Sequence, residues 1–569
     1  MSRPESPWAV IDRPYSFASE SGWSSYVSAL TQDGVSATEK GVRPVRPLFP
    51  CYNDVVNAAT EQSLNDMLRE ILTSRVYEVA KESSLDFAPL LSKRFNNSVW
   101  LKREDQQPVF SFKLRGAYNK IAKLSEVERK RGVITASAGN HAQGVALAAR
   151  KLNLHAVIVM PKTTPDIKVN AVRELGAEVV LAGDHYAEAK AHCDELASQK
   201  GMTFIHPFDD LLVIAGQGTI ADEILRQRPE GLAGIFVPIG GGGLIAGIGA
   251  YVKRVLPGVK VIGVQPVDSD AMRQSIAAGY PIELSHVGLF ADGVAVRKVG
   301  NVTFPIVAAT VDEIILVGND EICAAIKDVF DDTRAIVEPS GALAVAGMKT
   351  YIERTQATGQ HFVALLSGAN MNFDRLRFVA ERAELGEAHE ALFAVTIPER
   401  PGAFRQFCNT LGKRVITEFN YRLSERSRAE IFVGMAIQSR EDAHEVQARL
   451  IAQGYETADL TDSEMAKLHI RHMVGGRAQA VERERVCRFE FPERPGALLQ
   501  FLDTLGGRWN ISLFHYRNHG ADFGRVLAAF EVPETDYDAF EGFLAALGYE
   551  YEMEDGDEAY RRFLEPLKR

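Results

Sequence analysis

A lysine becomes a useful nucleophile only when its surroundings remove its proton. The segment Ser111-Phe112-Lys113-Leu114-Arg115-Gly116-Ala117 sets one lysine beside an aromatic ring and a second cation. Apolar surroundings and a neighbouring positive charge both favour the neutral amine, the form that condenses with a carbonyl to a Schiff base. Phe112 and Arg115 are therefore read as the residues that tune Lys113.

Three turns downstream could complete such a site. Ser137-Ala138-Gly139-Asn140-His141-Ala142 follows an apolar run and opens a helical one. Free backbone N–H groups at a helix start attract anions, so a substrate carboxylate is a natural guest, and the Asn140 amide can bond a hydroxyl. Alone, the segment equally fits an ordinary turn with Asn140 as helix cap. Gly240-Gly241-Gly242-Gly243-Leu244 follows Val237-Pro238-Ile239. Consecutive glycines let backbone N–H groups close on a phosphate. The run lacks the Gly-Lys-Ser/Thr ending of a P-loop and the acidic ribose partner of a dinucleotide site. Leu366-Ser367-Gly368-Ala369-Asn370 ends another apolar run. Together the turns could hold a phosphorylated aldehyde over Lys113.

The elements that must position these turns alternate in type. Val99–Leu101, Val133–Ala136, His155–Met160, Val179–Leu181, Ile235–Val237, Val261–Val264 and Val363–Leu366 read as strands. Ala142–Leu152, Asp166–Leu175 and Tyr186–Gln199 read as helices, the second closed by Gly176. This alternation predicts βαβ units and a mostly parallel sheet, whose ligands sit outside the carboxyl ends of the strands. Leu232 to Val252 carries no charge and is long enough to span a bilayer. Pro238 and the glycine run would break a membrane helix, so strand, loop and buried helix is the reading.

The chain has 569 residues, 46% apolar and 24% charged, with a net charge of −11. That is the balance of a soluble globular protein, and it argues against a general nucleic-acid binder. Cys51, Cys193, Cys323, Cys408 and Cys487 are scattered and form no Cys-x-x-Cys pair, which suits free thiols in a reducing compartment. No metal-ligand spacing appears. Residues 1–50 show no sustained period, and Glu5, Asp12, Glu20, Asp33 and Glu39 count against an acid-poor transit peptide. They are read as a disordered extension, with a cytoplasmic location preferred to an organelle.

After Glu384 the pattern changes. Leu392–Ile397 precedes Pro398-Glu399-Arg400-Pro401-Gly402-Ala403, and Val486–Phe491 precedes Pro492-Glu493-Arg494-Pro495-Gly496-Ala497. The match continues through Phe407/Phe501, Leu411/Leu505 and Arg414/Arg508, and resumes at Tyr421-Arg422 against Tyr516-Arg517. The carboxyl-terminal third is an internal repeat. Met465 to Glu484, with Gly475-Gly476, reads as the linker between copies.

The four segments of the larger part resemble pyridoxal-phosphate enzymes of the tryptophan-synthase-β type (fold type II), and more closely the threonine/serine dehydratases. The resemblance covers about Leu72 to Phe378, with the motifs in family order. It implies pyridoxal 5'-phosphate as cofactor, with Lys113 as its Schiff-base lysine and Phe112 beside it. Asn140 would contact the pyridine hydroxyl, Gly240, Gly241, Gly242, Gly243 and Leu244 the phosphate, and Ser367 the pyridine nitrogen. The substrate carboxylate would sit on Ser137, Ala138, Gly139, Asn140 and His141. The Lys113 amine would then remove the Cα proton, and loss of the β-hydroxyl would convert L-threonine into 2-oxobutanoate and ammonia. Glu338-Pro339-Ser340-Gly341-Ala342 and Asp292-Gly293 also resemble the family; Glu338 is read as a neighbour of the ring or a cation, or as a plain helix start.

The repeat resembles the paired ACT-like regulatory modules of the biosynthetic threonine deaminases. That implies inhibition by isoleucine, relief by valine and a tetramer, with Tyr421 and Tyr516 as effector-pocket residues or simply repeat-core aromatics. The expected architecture is α/β: a two-lobed, parallel or mixed-sheet core at 51–384, then two α+β ACT-like domains at 385–475 and 476–569. A serine-preferring dehydratase, a β-replacement enzyme and an amino-acid sensor with an inactive core are the competing readings.

Overall fold

The structure is a computed structural model. It describes residues 62–227, 230–386, 390–398, 406–407, 410–411, 414, 416–423, 428–472, 483–492, 500–501, 504–505, 508–509, 511–517 and 523–565. The first fifty residues, most of the two Pro-Glu-Arg-Pro-Gly-Ala turns, and Gly475-Gly476 lie outside the described residues.

Among the described residues, ten strands build the larger part: β1 (Leu85–Phe87), β2 (Ser98–Arg103), β3 (Val133–Ala136), β4 (Ala156–Met160), β5 (Glu178–Leu181), β6 (Thr203–Phe204), β7 (Leu232–Pro238), β8 (Lys260–Pro266), β9 (Glu313–Val317) and β10 (His361–Leu366). They form two sheets rather than one. The large lobe has the order β1-β2-β10-β7-β8-β9 and the small lobe β5-β4-β3-β6. All pairs are parallel except β1 with β2. The chain leaves the large lobe after β2, builds the small lobe, and returns for β7. Strands β3 and β4 are buried along their whole length, which explains their continuous apolar runs. The sequence reading lacks β1, β6 and β9. These are short or half-buried, so they carry little apolar signal.

Lys113 opens the helix Lys113–Ala122, which lies between the lobes. Two glycines bring it close to its neighbours. A Cβ on Gly216, in the helix Leu211–Gln227, would fall 2.7 Å from the Arg115 carbonyl oxygen. A Cβ on Gly144 would fall 3.0 Å from the Leu114 nitrogen. Any side chain at either place would push the lysine's helix away from its partner.

Leu232 to Val252 resolves into β7, the glycine turn and the helix Gly243–Val255. No described helix is long and apolar enough to cross a membrane.

The repeats are two copies of one antiparallel layout. The first has β11 (Glu390–Pro398), β12 (Ile416–Leu423), β13 (Arg428–Ala436) and β14 (Glu456–Asp459). The second has β15 (Glu484–Pro492), β16 (Ile511–Arg517), β17 (Phe523–Glu531) and β18 (Glu550–Met553). The orders are β12-β13-β11-β14 and β16-β17-β15-β18. Along β11, Phe393, Val395 and Ile397 pack on Val446 and Leu450 of the module's own helix Arg440–Ala452. The alternate residues Leu392 and Ala394 join Val486, Leu527 and Ala529 of the other module. The two-residue period thus buries both faces of the strand.

The linker begins later than the sequence suggests. Glu464–Leu468 is helical and Ile470–His472 forms a further turn. Met465, Ala466 and Ile470 enter the core shared by the modules, and Leu468 packs into the large lobe. This helical apolar spacing, not a flexible tether, occupies the first part of the expected linker.

Candidate active site

The expected site residues converge where strands end. The Ser137 turn follows β3, the glycine loop follows β7, and Ser367 follows β10. Lys113 sits at the first position of its helix, after Phe112. Its Nζ lies 3.5 Å from the Pro207 carbonyl oxygen and 5.1 Å from the Phe112 ring centre. Burial brings its pKa down to about 8, against the opposing charge of Glu338.

Arg115 does not take part in that shift. It is fully buried, and its guanidinium bonds Glu104 at 2.7 and 2.8 Å and Glu223 at 2.6 Å. Lys102 also reaches Glu223, at 2.7 Å. Residues two apart on a helix face different ways, so Arg115 points from the lysine into this charge cluster. Desolvation, with Phe112 beside the amine, replaces the cationic neighbour expected from the sequence.

The glycine loop forms a cradle with no room for side chains. A Cβ on Gly241 would meet the Phe208 ring at 2.3 Å; one on Gly240 would meet Val294 Cα at 3.0 Å. Gly242 has φ +98°, a left-handed backbone that suits glycine. Leu244 is buried, one residue into the helix that starts at Gly243. The unpaired N–H groups at that helix start suit an anion such as a phosphate.

Opposite the lysine, Asn140 of the small lobe donates from Nδ2 to Glu338 Oε1 at 2.7 Å and accepts from Asn370 Nδ2 at 2.6 Å. Glu338 stands at the N-cap of the helix Pro339–Thr355, as the helix-start reading expects, and faces Asn140 across the cleft. Burial, then the charge of Asp292, pushes the Glu338 carboxyl up to about 7. Burial alone would raise Asp292 too, but Lys168 at 3.0 Å and Arg375 at 3.5 Å hold it at about 2.

Ser367 Oγ donates to the Ser340 carbonyl at 3.1 Å. The buried hydroxyls of Ser111 and Ser340 have no partner among the described residues. In the Ser137–His141 turn, the Gly139 N–H donates to Ser137 Oγ at 3.3 Å. The His141 ring is turned away to the Ile205 carbonyl at 2.9 Å, and burial lowers its pKa to about 3. A glycine cradle, a desolvated amine and orphaned buried hydroxyls fit a polar, phosphorylated aldehyde.

A cavity of about 570 Å³ opens between the lobes, lined by Gln143 and Lys168 on one side and Arg103, Phe110 and Asn370 on the other. Lys168, Arg375 and Phe208 are absent from the sequence reading. Nothing in their local pattern marks them, since each meets the site from a distant segment. Glu104 stands inside the charged run Lys102-Arg103-Glu104-Asp105, which by itself names no partner for it. Tyr421 pairs in register with Ile431, and Tyr516 with Val526, which are equivalent places in the two modules.

Comparison with known proteins agrees with this layout. Residues 81–368 match the model of the pyridoxal-phosphate dependent enzymes. Residues 381–470 and 475–564 each match the C-terminal regulatory domain of threonine dehydratase. The chain is 58% identical over 503 residues to L-threonine dehydratase biosynthetic IlvA of Burkholderia multivorans, covering 88% of this chain and 99% of that protein. It is 52% identical over 514 residues to the mitochondrial threonine dehydratase of Saccharomyces cerevisiae, covering 88% and 89%. The processed form of threonine deaminase isoform 2 from Solanum lycopersicum superposes with a TM-score of 0.56 at 51% identity, covering 56% of this chain and 93% of that one. The chain therefore belongs to the biosynthetic threonine dehydratases, pyridoxal-phosphate lyases with paired carboxyl-terminal regulatory domains.

Proposed function

We propose that this enzyme converts L-threonine into 2-oxobutanoate and ammonia with the following division of labour. Lys113 carries the cofactor aldehyde and later exchanges the Cα proton. Gly240 to Leu244 hold the phosphate, Asn140 the ring hydroxyl, and Ser367 faces the ring nitrogen, with Phe112 packed beside the lysine. The turn Ser137 to His141 receives the substrate carboxylate at the start of its helix. When bound, pyridoxal phosphate supplies an electron sink for negative charge at Cα. The Lys113 amine takes the Cα proton, one proton is returned to the β-hydroxyl as the Cβ–O bond breaks, and water leaves. The freed enamine then tautomerises to an imine and takes up one water to give 2-oxobutanoate and ammonia. The observation that carries this reading is the amine of Lys113, desolvated to a pKa of about 8 at the lobe junction, beside the Phe112 ring.

The decisive experiment is turnover of L-threonine by cofactor-loaded protein, with borohydride trapping mapped by mass spectrometry. Product formation and a label on Lys113 are expected. Protein that takes up no cofactor would remove the reading, and much faster turnover of L-serine would favour the serine-preferring alternative.

We further infer that the paired modules bind isoleucine and valine near Tyr421 and Tyr516, and that the enzyme is a tetramer. Matching regulatory domains in both copies support an effector role. Proposed boundaries of 51–384, 385–475 and 476–569 follow the repeat. The acidic residues among the first fifty favour a cytoplasmic location. Inhibition of threonine turnover by L-isoleucine, relieved by L-valine, tests the effectors, and native mass measurement tests the assembly.

A further inference from the structure

The regulatory modules meet the catalytic part through the helix Arg375–Gly386. At its far end Arg382, almost wholly buried, bonds Glu464 of the first module through Nη1 at 2.9 Å and Nη2 at 2.5 Å. It also bonds Asp320 of the large lobe, which Lys467 reaches at 2.6 Å. Phe378, one turn earlier, packs its ring 5.1 Å from Phe290.

At the near end, Arg375 holds the segment before the cofactor site. Its Nη1 and Nη2 donate to the carbonyls of Phe290 and Leu289, both at 3.3 Å, and Nη1 lies 3.5 Å from Asp292 Oδ1. The other Asp292 oxygen is 3.0 Å from Lys168 of the small lobe. The next residues back the site itself. Val294 lies against Gly240 of the cradle, and Gly293 against Ser340 and Glu338. The second module touches the same segment, where His286 pairs with Glu550 at 2.6 Å.

We propose that Arg375 is a positioning residue that couples the regulatory modules to closure of the cleft. A shift of Glu464 draws on Arg382, the rigid helix carries the displacement, and Arg375 moves the segment 286–294. The Lys168–Asp292 contact between the lobes then loosens or tightens. The inference rests on the regulated-dehydratase reading above. Its links are hydrogen bonds, ion pairs and packed rings, and the experiment below asks whether they move together.

The test uses full-length, cofactor-loaded protein with L-isoleucine as probe. Amide hydrogen exchange is read at 464–472 and at 286–297 in the parent and in Arg375→Lys, which keeps the charge but loses the planar fork. Both segments should respond in the parent. In Arg375→Lys the response at 464–472 should persist while that at 286–297 is lost. The isoleucine effect on the apparent threonine KM, about 5- to 150-fold for ordinary coupling, should fall below about twofold. Glu464→Gln, remote from the chemistry, should lose the same effect while keeping its basal kcat and KM. Survival of the 286–297 response in Arg375→Lys, or of full inhibition in both variants, overturns the proposal. A parent that responds at neither segment removes the effector reading, and the coupling with it.

Discussion

Asn140 of the small lobe donates a 2.7 Å hydrogen bond to the buried carboxyl of Glu338 in the large lobe. The contact crosses the cleft, so the protonation of one carboxyl is tied to how the two lobes meet.

Glu338 gives a pH prediction with a definite sign. Its pKa rises from 4.5 to about 7 on folding. Between those values the folded state binds more protons than the unfolded one, so stability falls as pH rises. The contribution is complete below about 4.5 and gone above about 7, and amounts to about 3 kcal/mol. Thermal melting of cofactor-free protein should therefore lose less on going from pH 5 to 8 in Glu338→Gln than in the parent. Parallel melting curves would contradict the assignment.

Lys113 gives a second. A folded pKa of about 8 means that the neutral amine becomes available well below the ordinary lysine range. The rate at which cofactor-free protein takes up pyridoxal phosphate should rise about tenfold per pH unit below 8 and level off above it. Stopped-flow absorbance would follow the uptake. Lys113→Ala should form no borohydride-stable adduct, and a rise continuing to pH 10 would show an ordinary lysine.

The glycine cradle is testable by adding one methyl group. In Gly241→Ala the new Cβ falls 2.3 Å from the Phe208 ring, so the ring or the loop must move. Overpacking of this kind costs about 1–3 kcal/mol, and cofactor affinity should drop roughly ten- to a hundredfold by equilibrium dialysis. Gly258→Ala, where a Cβ meets nothing within 4 Å, should bind as the parent does.

Arg115 should matter for folding before it matters for chemistry. Arg115→Met removes the guanidinium that Glu104 and Glu223 share, leaving Lys102, paired with Glu223, as the cation of this buried cluster among the described residues. Loss of one partner from such a cluster costs about 3–5 kcal/mol. Denaturant titration should show that loss, and Arg115→Lys should recover only part of it, because a point charge cannot replace a two-sided fork. An unchanged midpoint in Arg115→Met would mean the cluster relaxes without it.

The sequence by itself determined the chemistry that could occur. Lys113 at a helix start, the glycines at Gly240 to Gly243 and the turns at Ser137 and Ser367 are local features, each a few residues long and set at a strand end or helix start. The repeat was legible for the same reason, since a copied segment carries its own pattern. Tertiary structure alone decided which neighbours these features meet. Helix phase turned Arg115 away from Lys113 and into Glu104 and Glu223. Folding brought Asn140 to Glu338, and Lys168 and Arg375 to Asp292, across long stretches of chain. No spacing in the sequence encodes such meetings, because they depend on how two lobes pack, and packing is settled by the whole core rather than by any one segment.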